Sequence, residues 1–173
     1  MADSVRILGI DPGSRITGYG MVVASGSSVS YLASGCIRTG QRDFNERLQI
    51  IYTDTKEIIE THQPDEIAIE RVFVAKNADS ALKLGHARAA AICGSFGRSL
   101  EISEYSPRQI KQAVTGSGAA DKAQVQQMVM RLLGLEGKLQ SDAADAIAVS
   151  ICHAHMRTVS RLTRTGAVGG ISR

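Results

Sequence analysis

The apolar positions of the chain change period along its length, and the change divides it into two kinds of element. Residues 5–10 form a short apolar run ending in the turn signal Asp11-Pro12-Gly13, and residues 17–24 resume with β-branched and apolar side chains, which predicts strand, turn, strand. Residues 28–38 place Val29, Tyr31 and Ile37 at alternating positions and predict a third strand, paired with the second as a meander. From Phe44 the spacing becomes helical: Leu48, Ile51, Tyr52, Thr55, Ile58 and Ile59 recur three and four apart, up to a stop at Gln63-Pro64. A buried strand is expected at 67–69, a long helix over 79–100, a strand around 102–105 and a helical stretch over 107–114. After the break at Gly116-Ser117-Gly118, helices are expected at about 121–133 and at 141–156.

This order predicts an α/β fold: a five-stranded mixed sheet, a three-strand meander plus parallel strands, flanked by helices. At 173 residues the chain has room for one such domain, expected over 1–156. Beyond Arg157 the periodicity fades into Gly, Ser, Thr and Arg, so residues 157–173 are expected to form a flexible basic tail. No stretch is apolar enough to span a bilayer, and the opening apolar run is too short for a secretory signal. The expected location is the cytoplasm. Cys36, Cys93 and Cys152 are odd in number and lack metal-ligand spacing, so buried free thiols are expected. His153 and His155, two apart on a helix, should face different ways and share no metal.

The net charge of +3 becomes informative once divided along the chain. Residues 1–70 hold 6 basic and 10 acidic groups, whereas residues 71–131 hold 9 basic and 4 acidic, and residues 157–173 hold four arginines and no acid. An acidic region beside a basic surface suits a polyanion that must be gripped close to carboxylates, although solvated faces alone could give the same split.

Four acids stand out together, although each has an ordinary explanation alone. Asp11 could simply open its turn, Glu70 could be the polar end of a strand, and Asp142 and Asp145 could occupy the first turn of a helix capped by Ser141. However, Asp11 and Glu70 both end apolar runs expected to be neighbouring central strands, and residues three apart share a helix face. If that helix lies on the sheet, four carboxylates meet at one edge, which is unfavourable without a cation. Oxygen-only ligands select Mg²⁺ or Mn²⁺, and two such ions about 4 Å apart would suit in-line displacement at phosphorus. The pattern points to phosphodiester hydrolysis.

The stretch ILGIDPGSRITGYG resembles the opening of the RuvC family of Holliday-junction resolvases, which have a ribonuclease H-like fold. AIERVFVAKNADSALKLGHARA, YSPRQIKQAVTGSGAADKAQVQ and SDAADAIAVSICHAH follow in the family's order, so the resemblance covers nearly all of residues 5–156. It implies that Asp11, Glu70, Asp142 and Asp145 are the metal-binding catalytic acids of a structure-selective endodeoxyribonuclease using two Mg²⁺ ions. It further implies that Phe73 inserts at the junction and that Lys111 and Lys122 serve DNA binding and catalysis. Read from the residues alone, Phe73 could be core and the lysines could be solvated. Arg15, Lys76, Lys83 and Arg108 are further candidates for phosphate contact, and the glycine-rich loop before Lys122 could offer backbone N–H groups to phosphate.

By the same resemblance the protein is a homodimer through the long helix, whose small residues Gly85, Ala87, Ala89, Ala90, Ala91 and Gly94 would allow close approach, although packing on the sheet would explain them equally. Four-way junction DNA is the implied substrate and a RuvA–RuvB branch-migration complex the implied partner. The rivals are a ribonuclease H-like nuclease acting on RNA and a junction-binding protein without activity. An ATP-binding relative of the sugar-kinase and actin group would need a second domain.

Overall fold

The computed structural model describes residues 4–72 and 77–167. Among them the chain forms β1 (Val5–Asp11), β2 (Ile16–Ser25), β3 (Ser28–Arg38), α1 (Phe44–His62), β4 (Glu66–Glu70), α2 (Ala78–Cys93), β5 (Glu101–Tyr105), α3 (Pro107–Thr115), α4 (Lys122–Leu133) and α5 (Ser141–Ala167). The strands make one five-stranded sheet in the order β3-β2-β1-β4-β5. β1 to β3 are antiparallel neighbours, while β4 runs parallel to both β1 and β5, giving the mixed sheet that the hydrophobic pattern predicts.

Two apolar layers follow from the period-two alternation of the strands. Leu8, Ile10, Met21, Ile37, Ile67 and Ile69 face α1 and α2, meeting Ile51, Ile59, Ala87 and Ala91. Val5, Ile7, Val22, Ala24 and Ala68 face the other way, toward α3, α4 and the stripe of α5 that carries Ile147, Ala148 and Ile151. Asp11 and Glu70 continue the second set, so both carboxylates end on the face that α5 covers.

α5 lies close on the sheet because the strands leave it room. Gly9 and Gly20 are register partners, as are Asp11 and Gly18. A Cβ at Gly18 would collide with the Asp142 carbonyl oxygen, one at Gly9 with that of Ala146, and one at Gly20 with Ile147. The glycines therefore form a track that lets the helix backbone approach where side chains would hold it off.

Four details depart from the expected pattern. β3 carries a bulge: Met21 pairs with Ala33 but Val22 pairs with Tyr31, so Leu32 is the extra residue. As a result Val29 packs toward α5 while Ile37, of the same parity, packs toward α1. The long helix ends at Cys93 rather than Leu100. There Gly94 is pressed against α1 near the Tyr52 carbonyl and Thr55, and short-range turns follow, with the Ser95 hydroxyl donating to the Ile92 carbonyl. The last helix does not end at Met156. It continues to Ala167, so the segment from Arg157 to that point is helical rather than a flexible tail, while residues 168–173 lie outside the described residues. Lastly, Ser141 is the first helical residue of α5, not its cap: the first helical bond runs from the Ala144 N–H to the Gln140 carbonyl.

All three cysteines are free, but only Cys152 is buried, with Cys36 and Cys93 half-buried. Burial pushes the Cys152 thiol up to about 12. Among the described residues no helix is long and apolar enough to cross a membrane.

Candidate active site

Three elements bring acids together at one end of the sheet. Ile10 of β1 pairs with Ile69 of the parallel β4, so Asp11 and Glu70, the next residues of each, stand side by side at the carboxyl ends of neighbouring strands. The first turns of α5, seated on the glycine track, bring Asp145 up to them. Glu70 and Asp145 line a cleft of about 220 Å³ together with Lys111, Lys122, Pro107, Ile110, Val125 and Ala148.

The turn after Asp11 is rigidly built. The buried Thr17 hydroxyl donates to the Gly13 carbonyl at 2.8 Å and accepts from the Gly13 N–H. Thr39, also buried, donates to the Ser14 carbonyl at 3.0 Å, and its N–H binds the Arg15 carbonyl. These two threonines lie outside the candidates raised from sequence, because a hydroxyl at a strand end has no distinguishing pattern.

The electrostatics of the cluster are those of crowded, desolvated carboxylates. Burial pushes the Asp11 carboxyl up to about 8, aided by a hydrogen bond with Glu70 and by the charges of Glu70 and Asp145; Lys122 opposes this. Burial also raises Glu70, with repulsion from Asp145, against the hydrogen bond with Asp11 and the charges of Lys111 and Lys122. Asp11 and Glu70 are thus both held above their ordinary values by burial, and Lys122 Nζ sits 2.6 Å from the Asp145 carboxylate. The Lys122 ammonium is itself held above its ordinary value, chiefly by that hydrogen bond.

Asp142, almost a turn before Asp145, feels Lys122 and the Cys36 thiol, so it stands at the β3 side of the cluster. Among the described residues no three His, Cys, Asp or Glu groups are arranged to hold one metal ion as they stand. Nevertheless the donor set suits a hard divalent cation: it is oxygen-only and partly buried, and the Lys122 ammonium already lies against it where a cation would serve.

The other residues singled out from sequence are placed as follows. Lys111 and Lys122 flank the cleft from α3 and α4. The loop before Lys122 is not a phosphate cradle, because the N–H groups from Gly116 to Asp121 are already bonded within the loop and its neighbouring helices, among them Gly118 N–H to the Gln112 side chain at 3.0 Å and Asp121 N–H to that of Gln124 at 2.9 Å. Arg108, on the first turn of α3, packs its stem against Gly118. Arg15 is exposed on the turn after β1, and Arg38 and Arg42, which sequence reasoning passed over, bind Gln140 and the Thr39 carbonyl on the same rim. Lys83 lies on α2, away from the cluster, and pairs with Asp79 at 2.6 Å. Phe73 and Lys76 lie outside the described residues. His153 and His155 contact different partners, Glu66 and the Ala113 carbonyl, and share no site.

Comparisons with known proteins point the same way. A family model described as crossover junction endodeoxyribonuclease RuvC matches residues 7–153. Proteins of that name from Marinobacter nauticus and Pseudomonas fluorescens are 56% identical over 161 residues and 61% identical over 153 residues; the first alignment covers 92% of both chains, the second 88% of this chain and 87% of its relative. Among solved structures, Thermus thermophilus RuvC in complex with a Holliday junction substrate superposes with a TM-score of 0.84 at 31% identity, covering 90% of this chain and 96% of that one. The yeast mitochondrial Holliday junction resolvase Ydc2 shares the fold, with a TM-score of 0.70 at 15% identity over 95% of this chain and 84% of its own.

Proposed function

The chain belongs to the RuvC family of crossover junction endodeoxyribonucleases, and on that premise we propose that its acidic cleft resolves four-way DNA junctions by paired, symmetric nicks. The fold is ribonuclease H-like and the protein is a Holliday junction endonuclease, a hydrolase of homologous recombination and repair. The observation that carries the chemistry is the juxtaposition of Asp11, Glu70 and Asp145 from three separate elements in a cleft walled by two lysines.

Asp11, Glu70, Asp142 and Asp145 would hold two Mg²⁺ ions, with Mn²⁺ as a substitute, which supply charge neutralisation and polarise water and the scissile phosphate. Asp11 and Glu70, both raised by burial, would have to be ionised to hold a cation. Lys122 and Lys111 would present ammonium groups at the cleft wall, where a phosphoryl group gathers charge. The products carry 5′-phosphate and 3′-hydroxyl ends. Arg15 and Arg108 contact flanking phosphates, Lys83, in an exposed pair with Asp79 on α2, is a further candidate contact, and Phe73 and Lys76 keep the junction-contact role that the family resemblance implies.

Two sites must act on opposed strands, which a two-fold homodimer provides. α2 offers the face for it: Leu82, Gly85, His86 and Ala89, spaced three and four apart, are exposed, whereas Ala87 and Ala91 are spent on the sheet. A RuvA–RuvB-type complex in the cytoplasm would supply the branched substrate.

The test is nicking of a four-way junction, a linear duplex of the same sequence and an RNA–DNA hybrid, each with Mg²⁺. The junction is expected to be cut in preference to both others; equal cutting of the linear duplex, or preference for the hybrid, would sink the assignment.

A further inference from the structure

Near Asp142 the contact that seats α5 on the sheet is made by small residues. Ala143, Ala146 and Ser150 lie against Gly18 and Gly9 with backbone close to backbone, while Ile147 seats against Gly20, and both Ile147 and Ile151 pack among the apolar side chains of the sheet. At the end that carries the acids, the setting of the helix is thus fixed by backbone contact more than by large side chains. Yet the helix carries Asp142 and Asp145, and an error of about 1 Å in such groups can cost roughly 100-fold in rate.

A polar device lies farther along the same stripe. His153 follows Asp142 by eleven residues, just over three turns, so it points toward the sheet from nearly the same side of the helix, about 16 Å away. Its ring is buried, and both nitrogens are engaged. Nε2 lies 2.7 Å from the Glu66 carboxylate at the start of β4, and Nδ1 lies 2.7 Å from the Tyr105 hydroxyl at the end of β5. Glu66 can only accept, so Nε2 carries the proton; in the neutral ring Tyr105 donates to Nδ1. Arg157, one turn on, donates from Nε to both Glu66 oxygens at 2.7 and 3.0 Å. Burial alone would push Glu66 up, but the bonds from His153 and Arg157 more than offset it, and the carboxyl is lowered.

The strands that this ring grips also carry the site. Glu70 ends β4 and pairs in register with Tyr105, whose carbonyl accepts the Arg71 N–H at 2.8 Å. One imidazole therefore ties the helix bearing Asp142 and Asp145 to the strand pair bearing Glu70. Satisfied buried polar networks contribute more to a unique geometry than to net stability.

We propose that His153, held between Glu66 and Tyr105, is a positioning residue that fixes the axial and rotational setting of α5 on its glycine track and so the placement of Asp142 and Asp145 against Asp11 and Glu70. The inference rests on the metal-dependent nuclease reading above. It predicts that loosening the clamp leaves DNA binding intact while weakening the metal site and the chemical step.

The full-length protein with His153→Phe, which keeps a ring but loses both bonds, is compared with wild type at a temperature where circular dichroism shows both folded. Expected are junction affinity without metal within two-fold of wild type, kcat for nicking reduced ten-fold or more with KM little changed, and Mg²⁺ binding weakened several-fold by calorimetry in the absence of DNA. His153→Gln, which can still bond to Glu66, should recover part of the loss. Unchanged kcat and Mg²⁺ affinity with a lower Tm would overturn the proposal, leaving a structural residue only. Should His153→Phe not fold, Tyr105→Phe removes a single hydroxyl; it is expected to lower kcat and Mg²⁺ affinity together about three-fold, and wild-type values for both would equally overturn the proposal. Absence of junction nicking by wild type would instead strike at the nuclease reading, which separates the two failures.

Discussion

Asp11 is the residue at which stability and function oppose each other most directly. Its carboxyl titrates near 3.8 in an unfolded chain and at about 8 in the folded one, so the folded state prefers the protonated form. The contribution to stability is full below about pH 4 and is lost progressively as the pH rises toward 8, because the unfolded chain releases its proton first. Metal-free protein should therefore lose stability over this window, and saturating Mg²⁺ at pH 8 should restore it by binding only the folded state. Asp11→Asn should flatten the pH dependence and raise the metal-free stability at pH 8 by about 1 kcal/mol or more, at 1.36 kcal/mol per pKa unit. The same variant should bind junctions normally and lose nicking by at least about 100-fold, the scale of one removed catalytic group. Thermal melts from pH 4 to 9 beside a nicking assay check both halves; a lower Tm for the variant at pH 8 would contradict the electrostatic account.

At the scale of elements, the glycine track makes the site depend on the distance between α5 and the sheet. Gly18→Ala inserts a methyl where the Asp142 carbonyl stands, and overpacking of this kind costs typically 1 to 3 kcal/mol. It should lower the Tm and abolish most nicking while sparing the distant α1–α2 layer, whose amide protection should persist in hydrogen exchange. Fully active Gly18→Ala would show that the close approach is not needed. The track is also where the sequence was readable only in part. Periodicity gave each strand and helix, because one face of each is buried in a continuous layer. What it missed depends on tertiary contact: the bulge at Leu32, which moves Val29 and Ile37 to opposite faces; the early end of α2, where Gly94 abuts α1; and the extension of α5, which Arg157 anchors to Glu66. For the site, Asp11 and Glu70 could be found because each ends an apolar run. By contrast, the braces Thr17 and Thr39 and the clamp at His153 carry no local signal, since only the fold brings their partners near.

For the whole molecule, activity should depend on assembly. The exposed face of α2 that includes Leu82, 64% accessible in the single chain, is where a second copy is expected. Leu82→Glu should shift the protein to monomer in analytical ultracentrifugation and uncouple the two nicks, so that singly nicked junctions accumulate; a variant that stays dimeric would place the interface elsewhere.

The order of elements along the chain has a consequence of its own. Two of the four acids singled out from sequence, and much of the layer that buries β1 and β2 on one face, belong to α5. Strands β1 to β5 can pair and α1 and α2 can cover one side before α5 docks, but until then the proposed acidic cluster lacks Asp142 and Asp145.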